Sequence, residues 1–130
     1  MPRHPAPAAV IYAKDIARVG AFYAAVAGFE IEEATADFID LRAEGFQLFI
    51  VAPAPLIAQR IVVEQPPVRR ENTPLKLVLS VSSLDDARRE AALHGGSLVP
   101  ADQAWTFQGL VHCDGIDPEG NVFQLRQSPA

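Results

Sequence analysis

A single cysteine, Cys113, stands in the whole chain, so no disulfide can form within it. A lone thiol fits a reducing, cytoplasmic setting, which is the localisation expected. Positive charge is also scarce. Eleven Lys and Arg face sixteen Asp and Glu, giving a formal net charge of −5. The two densest basic spots, Arg69-Arg70 and Arg88-Arg89, are each followed at once by a glutamate. A nucleic-acid surface needs a basic stripe that displaces counterions from phosphate, and an anionic bilayer needs a polybasic segment. Neither is present, so no nucleic-acid partner and no membrane partner is expected. Long apolar runs are missing too. The longest, Leu48 to Ala58, holds two prolines and falls far short of the roughly 20 residues that cross a bilayer. The lead from Met1 to Pro7 is polar and proline-rich, with no apolar signal core. A soluble protein is expected.

What is present is the composition of an ordinary globular domain, 49% apolar and 21% charged over 130 residues. A chain of this length folds as one domain and buries roughly two thirds of its unfolded surface. Its pattern repeats. Residues 8–12 (A-A-V-I-Y) are a short strand rich in β-branched and aromatic side chains. Asp15 stands at an N-cap position, Ile16, Val19, Phe22, Tyr23 and Val26 follow at helical spacing, and Gly28 ends the helix. Strand-like runs follow at 29–34, 37–42 and 46–52, with Ala43-Glu44-Gly45 as a hairpin turn. A second pass begins at Leu75: a strand over 75–81, a capping box from Ser83 and Asp86, and an apolar stripe of Leu84, Ala87 and Ala91 stopped by Gly95-Gly96. Strands near 97–99, 109–114 and 121–126 close it, the last two joined by the turn Asp117-Pro118-Glu119-Gly120. One shift of 68 residues carries Ala8 to Lys76, Asp15 to Ser83, Ile16 to Leu84 and Gly28 to Gly96. The chain therefore reads as a single domain, 1–130, of two βαβββ modules, about 8–53 and 75–128. An exposed proline-rich connector over 54–74 joins them, with Ile61-Val62-Val63 as a packing contact or an extra edge strand.

Two stretches sharpen this pattern into a resemblance. Asp15 to Gly28 (D-I-A-R-V-G-A-F-Y-A-A-V-A-G) and Asp117 to Leu125 (D-P-E-G-N-V-F-Q-L) are similar to the opening helix and the closing turn and strand of the vicinal oxygen chelate superfamily. That group contains glyoxalase I, the extradiol dioxygenases and the bleomycin-resistance proteins. The resemblance covers nearly the whole chain. It implies an α+β fold in which two βαβββ modules form a cup-shaped, partly open mixed sheet with the helices outside. It also implies a ligand in the cup and, by analogy with many members, a homodimer.

Enzymes of this superfamily hold a divalent metal at the cup's centre, mostly on His and Glu, and use it as a Lewis acid. Carried over one by one, the four ligand positions fall at Ala8, at or near Phe49, at Lys76 and at Gln124. None keeps a His or Glu, and a first-row metal needs several N, O or S donors at once. No metal and no cofactor is expected. Other donors do not rebuild the site: His4 is in the N-terminal lead, His94 stands at a helix end where it caps carbonyls or is solvated, and His112 and Cys113 are strand neighbours facing opposite ways. Cys113 reads as a small buried hydrophobe in preference to a nucleophile.

Strand alternation gives the inward set. Ala8, Val10 and Tyr12 share a face, as do Gln47, Phe49 and Val51, then Lys76, Val78 and Ser80, then Val122, Gln124 and Arg126. His112 and Asp114 also share one face, either to orient a base or as a structural pair. Lys76 is positioned to meet an anionic ligand or to pair with Asp114. Trp105 and Phe107 either stack on a flat ligand or cap the core. The expected ligand-binding set is thus Tyr12, Gln47, Phe49, Lys76, Trp105, Phe107, His112, Asp114 and Gln124. The leading functional expectation is a metal-free small-molecule-binding protein like the bleomycin-resistance branch. The alternatives are a glyoxalase-type lyase, isomerase or dioxygenase, and a structural or regulatory domain without a pocket.

Overall fold

The computed structural model describes residues 5–128. His4 lies outside them. The first module runs β1 (Ala8–Tyr12), α1 (Ile16–Ala27), β2 (Glu30–Ala34), β3 (Phe38–Ala43) and β4 (Phe46–Val51). Its strands form a four-stranded sheet in the order β1-β4-β3-β2, with β1 parallel to β4 and the rest antiparallel. A short helix, α2 (Pro55–Ala58), opens the connector. The second module runs β5 (Leu77–Val81), α3 (Leu84–Leu93), β6 (Ser97–Leu98), β7 (Trp105–Phe107), β8 (Leu110–Ile116) and β9 (Val122–Gln127). Its sheet has the order β5-β9-β8-β6, with β7 added on β8. Neither sheet closes on itself, the expected repeat of two modules is present, and in each sheet the edge strand, β1 or β5, runs parallel to its neighbour.

The helices begin and end where the sequence places them. The Asp15 carboxylate accepts from the Arg18 N–H at 3.1 Å, and Gly28 closes α1 in a left-handed conformation (φ 73°). Ser83 accepts from the Asp86 N–H at 3.1 Å, but the capping box is only half formed. The Asp86 carboxylate turns outward to Arg89, and the Leu84 N–H is satisfied by Gln127 at 3.0 Å. Along the strands Ala9, Ile11, Ile39, Leu41, Leu48, Ile50, Leu79, Phe123 and Leu125 point to the helices and form one core with Val19, Phe22, Tyr23, Val26, Leu84, Ala87 and Ala91. The centre of that core belongs to both modules. Phe22 and Tyr23 of α1 meet Phe123 of β9 edge-on, with all three ring centroids 5.3 to 5.6 Å apart.

The D-P-E-G-N turn is the second tie between the modules. The buried Asp117 carboxylate accepts from the Tyr23 hydroxyl at 2.9 Å, the Glu119 N–H at 2.8 Å, the Asn121 N–H at 3.1 Å and the Asn121 amide at 2.9 Å. Burial pushes the Asp117 carboxyl above its ordinary value, although all four donors pull the other way. Burial, and then the charge of Asp117, push the Tyr23 hydroxyl well up, so it remains a donor. Two residues on, the Glu119 carboxylate takes the N–H groups of Lys14 and Asp15 at 2.8 and 2.7 Å, just where the chain enters α1. The motif that marks the superfamily resemblance therefore acts here as a structural clasp.

The connector is exposed along most of its length. Part of the connector is tied down: Arg70 donates its N–H to the Gly120 carbonyl at 2.9 Å and its Nε to the Glu119 carbonyl at 3.2 Å. Ile61–Val63 is not a strand, since Val62 is 82% exposed and the Ile61 carbonyl accepts from Lys14 Nζ at 3.0 Å. The segment before β8 forms an extra strand, β7. Phe107 pairs with Leu110 across the two-residue turn Gln108-Gly109, where both residues have positive φ (51° and 78°). That is the conformation Asn-Gly usually adopts, and a Gln in its first place hides the hairpin in the sequence.

Candidate functional site

The face of each sheet turned away from the helices carries the side chains expected to look inward. On the second module they form a continuous chain of contacts. Lys76, one residue before β5, places Nζ 3.2 Å from the Asp114 carboxylate. Gln124 on β9 stands opposite Asp114 on β8 and donates its amide to Asp114 Oδ1 at 3.0 Å. The other end of the Gln124 amide lies 2.9 Å from His112 Nδ1. The His112 ring is stacked under Trp105, centroids 5.7 Å apart and planes 18° from parallel, and Phe107 meets it edge-on at 5.9 Å. Strand pairing explains the stack, because Trp105 on β7 is the register partner of His112. Trp105 and Phe107 are nonetheless 40% and 57% exposed, so they stand on an open face and do not cap the core.

This chain fixes the chemistry of the imidazole. The Asp114 carboxylate can only accept, so the Gln124 NH2 must point to it and the Gln124 oxygen must point to His112. An oxygen acceptor at Nδ1 requires Nδ1 to carry the proton. The neutral ring then presents Nε2 as a bare lone pair. Lys76 pairs with Asp114 at the far end of the relay. His112 and Asp114 share a face as expected, but they communicate through Gln124 and not directly.

On the first module Gln47 donates to Asp40 Oδ1 at 3.0 Å, and Arg42 pairs with Asp40 at 3.2 Å. Burial pushes the Asp40 carboxyl up, but the hydrogen bonds of Arg42 and Gln47 and the Arg42 charge outweigh it, leaving the group below its ordinary value. Phe49 meets Phe38 edge-on at 6.5 Å. Asp40 and Arg42 were not among the expected residues, yet the alternation of F-I-D-L-R over 38–42 places both on the face of Phe38. Tyr12 lies at the seam between the modules. It lines a cavity of about 350 Å³ together with Val10, Arg70, Leu75 and Val122. A second cavity, of about 670 Å³, lies between Phe29, Phe46 and residues 77–80. The nine expected residues thus fall into three places: Lys76, Trp105, Phe107, His112, Asp114 and Gln124 together, Gln47 and Phe49 on the other sheet, and Tyr12 between.

The four mapped metal positions can be tested by register. Val10 stands opposite Phe49 in the first sheet and Val78 opposite Gln124 in the second, so Phe49 and Gln124 are equivalent positions of the repeat. Ala8 has no donor, Phe49 is packed on Phe38, Lys76 is ion-paired, and the Gln124 amide is engaged at both ends. Among the described residues no group of three or more His, Cys, Asp or Glu is placed to hold an ion. These residues do not fit the metal that the superfamily's enzymes use. His94 donates from Nδ1 to the Glu90 carbonyl at 2.9 Å, closing its helix. Cys113 is fully buried on the helix side of β8, with its sulfur 3.5 Å from the Val99 carbonyl.

Two βαβββ modules with this order of strands define the vicinal oxygen chelate fold. The family profile described as "Glyoxalase-like domain" matches residues 8–126, and the chain belongs to that family, within the vicinal oxygen chelate superfamily. Among solved structures the chain is similar to a glyoxalase/bleomycin resistance protein/dioxygenase family enzyme from Burkholderia phytofirmans. The two are 23% identical with a TM-score of 0.67, covering 92% of this chain and 95% of that one. It is also similar to a glyoxalase/bleomycin resistance protein from Albidiferax ferrireducens, 17% identical, TM-score 0.67, covering 95% and 98%. A bleomycin-binding protein in complex with bleomycin is 17% identical with a TM-score of 0.58, covering 98% of this chain and all of the other (100%). No match was found among curated proteins. Among the described residues no helix is long and apolar enough to cross a membrane.

Proposed function

We propose that this protein binds a small, flat organic molecule without the help of a metal, and that it does so on the open face of its second module. The observation that carries the reading is the Trp105–His112 stack. A half-exposed indole and the exposed Phe107 ring flank the buried His112 imidazole, whose Nδ1 is held by Gln124 and whose Nε2 is left for a ligand. Aromatic walls with one or two fixed polar atoms are the usual make-up of a small-molecule site. A structurally similar protein binds bleomycin, so ligand capture is a use this fold supports. The exposed Val10 and Tyr12 favour a homodimer in which a second copy covers the face of the first module, a state that sedimentation would report. A second reading has one observation in its favour. The fixed Nε2 lone pair is also what a general base needs, and it would reveal itself as consumption of a bound ligand that stops in His112→Gln.

The test begins with elemental analysis and titration of metal-stripped protein with nickel, zinc, manganese and ferrous iron. No stoichiometric binding at micromolar or better affinity is expected. One tightly held ion per chain would overturn the metal-free reading and put metal-assisted chemistry in its place. A compound screen then follows the emission of Trp105, the single tryptophan of the chain. Compounds that change it should lose their effect in Phe107→Ala.

A further inference from the structure

We propose that the open face of the second module selects planar aromatic acids, with Arg126 as the residue that recognises the carboxylate. The inference rests on the ligand-binding reading above and narrows it to a ligand class. Two cations stand on this face, and their situations differ. Lys76 is neutralised where it stands, with Nζ 3.2 and 3.4 Å from the two oxygens of Asp114. Arg126 is half-buried near the end of β9, and its one side-chain hydrogen bond among the described residues is a long 3.4 Å bond from Nε to the Ser80 hydroxyl. No carboxylate among the described residues forms an ion pair with it. On a chain of net charge −5, a half-buried cation with no ion pair among the described residues is not what surface composition alone supplies.

The position of Arg126 places it on the aromatic face. Arg126 is the register partner of His112 across the β8–β9 ladder, and Ser80 is its partner on the other side. Side chains paired in this way have Cβ atoms about 5 Å apart. The side chain leans toward Ser80 on β5, so the guanidinium stands across His112 from Trp105 on the same face, and a ligand touching both spans β8 and β9. A guanidinium whose two terminal nitrogens have no hydrogen-bond partner among the described residues is a planar fork that matches a carboxylate in two parallel hydrogen bonds. A ligand that lays an aromatic ring against Trp105 and Phe107 and carries a carboxylate in the plane of that ring meets both features. A neutral aromatic amide meets only the first. An aromatic ammonium is repelled by Arg126, and the nearby Asp114 cannot attract it strongly because Lys76 already cancels its charge.

The experiment uses full-length nitrogen-15-labelled protein and three probes: 2-naphthoate, 2-naphthamide and 2-naphthylmethylammonium. The readout is the Trp105 indole N–H resonance, which is unambiguous because the chain has one tryptophan. The acid should bind at least tenfold tighter than the amide, and the ammonium should bind most weakly. Arg126→Gln should remove the preference for the acid while leaving the amide's affinity as it was, which also shows that the variant is folded. Arg126→Lys should retain part of the preference. Equal binding of acid and amide, or a preference that survives in Arg126→Gln, overturns the role of Arg126, while the moving indole resonance still supports a site at Trp105. If none of the three probes shifts that resonance, the ligand-binding reading falls with it.

Discussion

Replacing Tyr23 by Phe deletes one hydroxyl from the join between the modules and tests the clasp directly. The ring is 1% exposed and keeps its contacts with Phe22 and Phe123, so packing is conserved and the lost atom is the donor to Asp117. A hydrogen bond to a charged partner contributes about 1.5–3 kcal/mol. Asp117 keeps three other donors, so it is not orphaned, and a cost near the middle of that range, about 2 kcal/mol, is expected. For a domain of this size that lowers Tm by about 7 °C. The cost should depend on pH with a definite sign. The Tyr23 donor opposes the upward pull of burial on Asp117, so its removal raises the folded-state value further. The variant's deficit is then largest where Asp117 is ionised and shrinks as pH falls through its titration. Urea unfolding followed by circular dichroism at neutral and acid pH measures both effects. A deficit under about 0.5 kcal/mol at neutral pH, well below the charged-bond range, would refute the clasp, as would one that grows on acidification.

Truncation of Phe22 to Ala, in the centre of the shared aromatic cluster, should cost about 3–5 kcal/mol, read from the same unfolding curves. Gly120→Ala should be costly, because φ there is +83° and a new methyl would strike the Val68 carbonyl; a loss of about 2 kcal/mol is expected from backbone strain alone. Gln124→Leu should release His112 from its single tautomer, so that its two ring-nitrogen shifts in NMR move toward those of a mixed population while wild type shows one protonated nitrogen at Nδ1. Asp40 lies below its ordinary value once folded, so its contribution to stability is complete above the unfolded-state value and is lost as pH falls through the folded one. Asp40→Asn should remove that acid-sensitive part of the stability curve, as measured by thermal unfolding across pH.

The sequence by itself determined the repeat. Hydrophobic period, N-caps and terminal glycines are local properties, and they recur at one spacing, so elements, modules and strand faces could be read before any contact was known. The alternation that put Lys76, Gln124 and Arg126 on one face, and His112 with Asp114, is likewise fixed by the pleat. The D-P-E-G-N stretch was legible as a turn but not as a clasp, because its partners, Tyr23, Lys14 and Asp15, are about a hundred residues away. Strand β7 was hidden because Gln108 adopts a conformation its residue type rarely takes, and only pairing with β8 compensates that strain. The site depended most on tertiary structure. Residue types alone left Lys76 free for a ligand, His112 free to meet Asp114, and Trp105 free to fill the core. Cross-strand register settled all three, since it decides which side chains stand within hydrogen-bonding distance. It paired Lys76 with Asp114, put Gln124 between Asp114 and His112, stacked Trp105 on the imidazole, and left Arg126 without an acidic partner among the described residues.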